Sequence, residues 1–480
     1  MNSELQTIRQ PYGSFDGRFP TGIILNVQSG EQWDILSGRK ALSQTEIEMF
    51  AQSDSPHLFS LVSLATTLDH EMRHFHDFML SPLGSSILAA RLSIAMNSMQ
   101  VFGRLTEARD LNSLPLPLTR WVEMSANDQD NYLNSISKFL ARSGVNCHLT
   151  GPKLSSGDLM FRALTAAGDA MKRITSFLTS RFSMADVIDV GLVDVAEASA
   201  LAVQAQAIWT VFGEAALNVF LAGLQAVPDT TYSRMANVLV GLCVHQNMPW
   251  DAIGTLTTWS LMGQVGELPP EIRFATAITD LIANGYPESA EPFELFDRWD
   301  KRHGTTSIIE AMRRSLDSDV DILNKRKQIA AASENRIAEE LAEYYELYCT
   351  ARRDLVETFL VDPGKYTETF RYRESMFKLR QPLIVLGGNF ERSADELKSA
   401  GFTILGAREI DGVQRASAVI LPLVDSAKTV HDIATAQKTL LSFIIADAIT
   451  SEITNGTDLD SIEMIKGALK DEYYILRLPV

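Results

Sequence analysis

Cysteine is scarce in this 480-residue chain: Cys147, Cys243 and Cys349 lie far apart and form no CxxC pair. That spacing excludes a disulfide framework and a cysteine-built zinc ribbon. Positive charge is short as well, since 43 Lys and Arg against 60 Asp and Glu leave a formal net charge of -17. A nucleic-acid surface needs dense Lys and Arg to neutralise phosphate, so no general nucleic-acid binding is expected. The basic region that does occur, Arg352, Arg353, Arg371, Arg373, Lys378 and Arg380, reads as charge balance beside the acidic helix before it. There is no P-loop and no GxGxxG, and Gly387-Gly388 alone carries no nucleotide fingerprint. The opening Met1-Asn2-Ser3-Glu4 lacks the basic start and apolar core of a signal peptide, which sets the expected location as cytoplasmic. Long uninterrupted apolar runs are missing too. The most apolar region, Val187 to Leu224, is broken by Asp189, Asp194, Glu197, Gln204, Gln206, Glu214 and Asn218, so no transmembrane segment is expected there.

What is present suits a folded body of enzyme size. The chain is 46% hydrophobic, with 22 Phe and 16 Met, enough to bury a large core without a metal to hold it together. Residues 1–45 read as a small N-terminal β-containing segment, with strands such as Gly22 to Val27 between Gly and Pro turns. Helical periodicity dominates residues 46–286, with candidate helices at Leu83 to Leu105, Leu118 to Leu140, Ser156 to Ser180 and Met184 to Leu224, the last with room for a break. Residues 287–380 extend the helical body. Within them Glu339, Glu340, Glu343 and Glu346 mark a solvated edge, with Tyr344, Tyr345 and Tyr348 packed behind it. From 381 to 480, strand candidates at Leu383 to Leu386, Phe402 to Leu405 and Ala418 to Leu421 alternate with helices near Ser393 to Ala400, Ala434 to Ser451 and Ser461 to Leu469. This predicts a mainly α fold, with a C-terminal α/β appendage suited to structure or to binding a protein partner.

Chemistry concentrates at His70-Glu71-Met72-Arg73-His74, an HExxH inside a helix expected from about Pro56 to Leu80. Residues i and i+4 share a helix face, so both imidazoles can hold one Zn²⁺ while Glu71 takes a proton from an activated water. Asp77 lies on or near the same face and is a candidate to ligate the metal or to orient an imidazole, whereas His76 points elsewhere. A hydrolytic zinc site takes three protein ligands and leaves one position open, so a third ligand must come from further along the chain.

With these residues the sequence resembles the gluzincin zinc metallopeptidases, in which a glutamate on a later helix joins the HExxH helix. The resemblance implies Zn²⁺ as cofactor, a peptide or protein substrate, Glu71 as catalytic base, and His70, His74 and Glu197 as metal ligands. Glu197 is chosen from Asp194-Val195-Ala196-Glu197-Ala198-Ser199-Ala200, whose alanines permit close helix approach. The family's acidic residue after the ligand glutamate is replaced by Leu201, which leaves Asp77 or Asp194 for the orienting role. An oxyanion-stabilising group is needed as well, and spacing does not choose among His245, Tyr232, Tyr344 and Tyr345. Two other classes stay open. Glu71-x-x-His74 is also the ExxH unit of di-metal carboxylate oxidoreductases, to which Glu197 and Glu214 could contribute, although no second ExxH follows among the helices. A non-enzymatic helical interaction protein, using aromatics such as Trp209 and Trp250, is the third reading.

Overall fold

The computed structural model describes residues 12–15, 22–27, 32, 35, 43–53, 55–107, 122–142, 158–184, 188–228, 230–287, 291–333, 336–376, 382–388, 393–399, 403–420, 446 and 450. Over these residues the protein is mainly α-helical with a few short strands. Two compact units are each assembled from three separate stretches of chain. The first comprises Met1–Ser86, Leu178–Asp319 and Leu347–Ala436, and the second Ile87–Phe177, Val320–Glu346 and Gln437–Val480.

The first unit is built on two long helices, α1 (Ser55–Leu80) and α2 (Leu192–Gln225). Helix α1 stops at Ser81-Pro82, where Ser81 Oγ accepts the Gly84 N–H at 2.7 Å. A Cβ on Gly84 would stand 2.2 Å from the Phe78 carbonyl oxygen, so only glycine fits this turn. Helix α2 starts where Asp194 accepts the Gly191 N–H at 2.8 Å, and it is interrupted at Gly213, whose φ of 84° is open to glycine. The two helices pack on each other, and α2 is buried all round over much of its N-terminal half, where Ala198, Ala200, Ala202 and Ala205 are fully buried. Farther along, Gly223 admits the Phe59 ring, which would sit 2.2 Å from any Cβ at that position.

Helix α2 begins later than the pattern predicted. Arg181–Met184 (β3) and Ile188–Gly191 (β4) form an antiparallel hairpin before it, held on one side by Arg181 to Asp189 at 3.0 Å. Helices α3 (Thr231–Leu239) and α4 (Trp250–Leu261) also pack on α2, with a π-helix, Val240–His245, between them.

One mixed sheet belongs to this unit. Strands β1 (Gly13–Phe15) and β2 (Gly22–Val27) are N-terminal, whereas β5 (Leu383–Gly388), β6 (Thr403–Ile410) and β7 (Val413–Ile420) come from the far end of the described chain, in the order β1-β2-β5-β7-β6. Strand β2 runs parallel to β5, Gly22 opposite Leu383 through Val27 opposite Gly388, and the remaining pairs are antiparallel. The β-containing segment and the appendage, read apart along the chain, therefore share a sheet. Buried Ile23, Leu25, Ile384 and Leu386 share one face and give it an apolar layer, and β1 and β2 pack on α1. Asp411 and Gly412, at φ 53° and 75°, make the tight turn from β6 to β7. The expected helix at Ser461 to Leu469 lies outside the described residues, as does nearly all of Ala434 to Ser451.

The second unit is helical over its described residues. Ala90 and Ile94 pack with Ala167, Ala170 and Ile174 in one of its apolar clusters. Glu339, Glu343 and Glu346 face solvent, while Tyr344 and Tyr345 are fully buried. Glu340 departs from the solvated edge: it is buried and paired with Arg336 at 3.0 Å.

Candidate metal centre

Helix α1 carries His70, Glu71 and His74 in its C-terminal half, and α2 carries Glu197 in its second turn. Their close packing brings three donor groups to one point. His70 Nε2 is 3.1 Å from His74 Nε2 and 3.1 Å from Glu197 Oε2, and His74 Nε2 is 3.5 Å from Glu197 Oε1. Bonds of about 2.0–2.2 Å in a tetrahedral zinc site put ligand atoms roughly 3.3–3.6 Å apart, close to the separations found. Two imidazoles and a carboxylate are also a fitting donor set for zinc. This is the one such group among the described residues.

The electrostatics follow from burial among like donors. Desolvation opposes charge on His74, but the neighbouring Glu197, Glu71 and Asp77 carboxylates outweigh it and push the imidazole up to about 9. Desolvation likewise opposes ionisation of Glu197, yet the two imidazoles hold its carboxyl well below the ordinary range. Glu71 moves the other way: burial raises it, and the nearby Glu197 charge adds to the rise against the pull of both histidines.

Glu71 stands beside the three donors and outside their group. The Phe15 backbone N–H donates to its carboxylate, while Oε2 is buried and unpartnered. Strand β1 is pressed onto this side chain, for a Cβ on Gly13 would fall 2.6 Å from the Thr67 methyl and 2.7 Å from Glu71 Cγ. Sequence reasoning missed this contact. The motif marks α1, but nothing local announces that a three-residue strand some 56 positions earlier touches it.

Other sequence candidates fall in different places. Asp77 bonds to Arg73 Nε at 3.2 Å and accepts the Tyr366 hydroxyl rather than an imidazole N–H. Asp194 caps α2 and pairs with Arg234 at 2.6 Å and Arg181 at 3.3 Å, so its charge is spent at the helix start. Glu214 is exposed and lies outside the donor group. His245 is exposed at the end of the π-helix, and Tyr344 and Tyr345 are buried in the second unit. Tyr232 remains. Its ring centroid is 6.2 Å from that of His70, and burial together with Glu197 and Glu71 raises its phenol well above the ordinary value, keeping it a hydrogen donor. His76 pairs with the Tyr372 hydroxyl at 2.7 Å, away from the donor group.

A cavity of about 560 Å³ adjoins the centre, with His70, Glu71, Tyr232 and Gly13 in its wall. Helix α2, which supplies Glu197, is long and apolar enough to cross a bilayer by length and composition, and 39% of its most apolar window is buried in the fold. Among the described basic residues of the sequence reading, Arg352 pairs with Asp319, Arg371 with Asp362, and Arg373 with Asp69, while Lys378 and Arg380 lie outside the described residues. No family model, curated protein or solved structure matches the chain.

Proposed function

We propose that this protein is a zinc-dependent hydrolase of peptide or protein amide bonds, with a gluzincin-like ligand set of His70, His74 and Glu197. The observation that carries the reading is the convergence of Glu197, from a helix more than a hundred residues downstream, onto both imidazoles. When bound, zinc supplies Lewis acidity for activating water and polarising a carbonyl. The chain's own groups account for the proton. Glu71, anchored by the Phe15 N–H and raised by burial, receives it on the unpartnered Oε2 as the water oxygen forms its bond to the carbonyl carbon, and returns it to the leaving nitrogen as the C–N bond breaks. The Tyr232 hydroxyl, on the cavity wall with His70 and Glu71, is the donor for the developing oxyanion. The di-metal reading lacks a second carboxylate and histidine group among the described residues.

The test joins zinc quantification and anomalous diffraction to cleavage of a diverse peptide mixture, with products read by mass spectrometry. One zinc per chain at His70, His74 and Glu197 is expected, with products that vanish on chelation and in Glu71→Gln. His70→Ala should weaken zinc binding by at least about 100-fold, beyond the loss seen for partners outside the ligand shell. Loaded crystals with no metal at His70 and His74 would overturn the site. Identical products from Glu71→Gln would remove Glu71 as the base.

A further inference from the structure

The cavity beside the centre is long as well as large. It follows α1 from His70 back through Thr67 and Ser63 to Phe59, eleven residues and therefore roughly 16 Å along the helix. Its far end is apolar: the Phe59 and Phe220 rings stack with centroids 5.9 Å apart, and Leu224 and Val227 stand in the same wall. No charged side chain other than Glu71, and His70 when protonated, lines it among the described residues. A single side chain beside a scissile bond does not reach that far. An extended peptide, rising about 3.3 Å per residue, covers the distance in four to five residues.

A fatty-acyl chain has the same reach, but the lining argues against it. The Ser63 hydroxyl is buried in the middle of this wall with no hydrogen-bond partner, and Thr67 and Gln204 are beside it in the lining. A hydrocarbon would leave that hydroxyl unpaired, whereas a peptide backbone brings an N–H or C=O past it at every residue.

Resting on the hydrolase reading, we propose that the substrate is a peptide bound extended along α1, with about four consecutive residues bearing bulky uncharged side chains on one side of the scissile bond. Hydroxamates are suitable probes because they bind zinc without being cleaved. Two series would be measured by calorimetry on the zinc-loaded protein, with leucine- and phenylalanine-rich peptides of one to five residues attached through either terminus. One series should tighten by about tenfold per residue up to the fourth and then level off. Replacing its third and fourth residues by Asp, or introducing Leu224→Trp in the protein, should abolish most of the gain. Equal affinity at every length, or a dodecanoyl hydroxamate binding more tightly than the tetrapeptide, would overturn the proposal and leave the hydrolase reading intact.

A second measurement does not depend on the metal. The tetrapeptide carrying benzoylphenylalanine at its distal residue, photolysed with metal-free and with loaded protein, should label Phe59, Phe220 or Leu224 in both. Labelling scattered over the surface would overturn the proposal. Labelling at those residues, with no hydroxamate bound by the zinc-treated protein, would instead keep the peptide groove and remove the zinc reading.

Discussion

Helix α1 carries two buried polar clusters side by side, and their difference separates a candidate site from a scaffold. In one, Arg73 supplies a cation to its own surroundings. Its Nε donates to Ser199 Oγ at 2.8 Å, its Nη1 donates to the Tyr366 carbonyl at 2.7 Å, and its guanidinium lies 3.7 Å over the Tyr366 ring with Asp77 as counter-ion. In the other, His70, His74 and Glu197 bring lone-pair donors to one point, and the positive charge they require is a proton or a metal ion. Both clusters cross from α1 to α2, so burial and long-range contact alone do not distinguish them. The sign of what is missing does.

Four substitutions break or sharpen that contrast. The largest effect is expected from Glu71→Gln, which keeps shape but removes the proton acceptor. Turnover should fall by about 10²–10⁴-fold in a steady-state peptide assay while zinc content holds. Arg73→Met removes the cation of the closed cluster and strands Asp77, costing about 3–5 kcal/mol in chemical denaturation. Zinc stoichiometry of the remaining folded protein should be unaltered, and a stability loss under 1 kcal/mol would show that the cluster does not hold the helices together. Gly13→Ala pushes a methyl against Thr67 and Glu71, displacing the base without touching a ligand. About a tenfold drop in kcat at constant zinc affinity is expected, since roughly 1.4 kcal/mol of lost transition-state stabilisation is a factor of ten. Asp194→Asn weakens the cap and both arginine pairs at the start of α2 and should cost about 1–2 kcal/mol of stability. A loss of zinc affinity in that variant would mean that Asp194 orients the site after all.

The candidate site was legible where its residues are local. His70 and His74 share a helix face by the 3.6-residue period, the stop at Ser81-Pro82 bounds that helix, and α1 runs from Ser55 to Leu80 against an expected Pro56 to Leu80. Glu197 required more, namely the resemblance together with an alanine-rich segment. Met184 to Gly191 read as helix because its apolar residues continue into α2, yet pairing of Phe182 with Val190 and Arg181 with Gly191 turned part of it into a hairpin. Asp77 has suitable helical spacing for a role beside the imidazoles, but Arg73 and Tyr366, the latter nearly three hundred residues away, claim its carboxylate.

By itself, then, the sequence determined the helical character of the protein, the face on which two imidazoles and a carboxylate stand, and the strand character of Gly22 to Val27 and Leu383 to Leu386. These follow from side-chain period, turn residues and intrinsic preference, which act over a few positions. Tertiary structure decided that those strands pair in parallel, that β1 lies on Glu71, that Tyr232 rather than His245 shares a cavity with His70, and that Phe59 and Phe220 close its far end. Each of these joins segments tens to hundreds of residues apart. Such contacts are selected by the packing of whole apolar faces, a choice that no local spacing encodes.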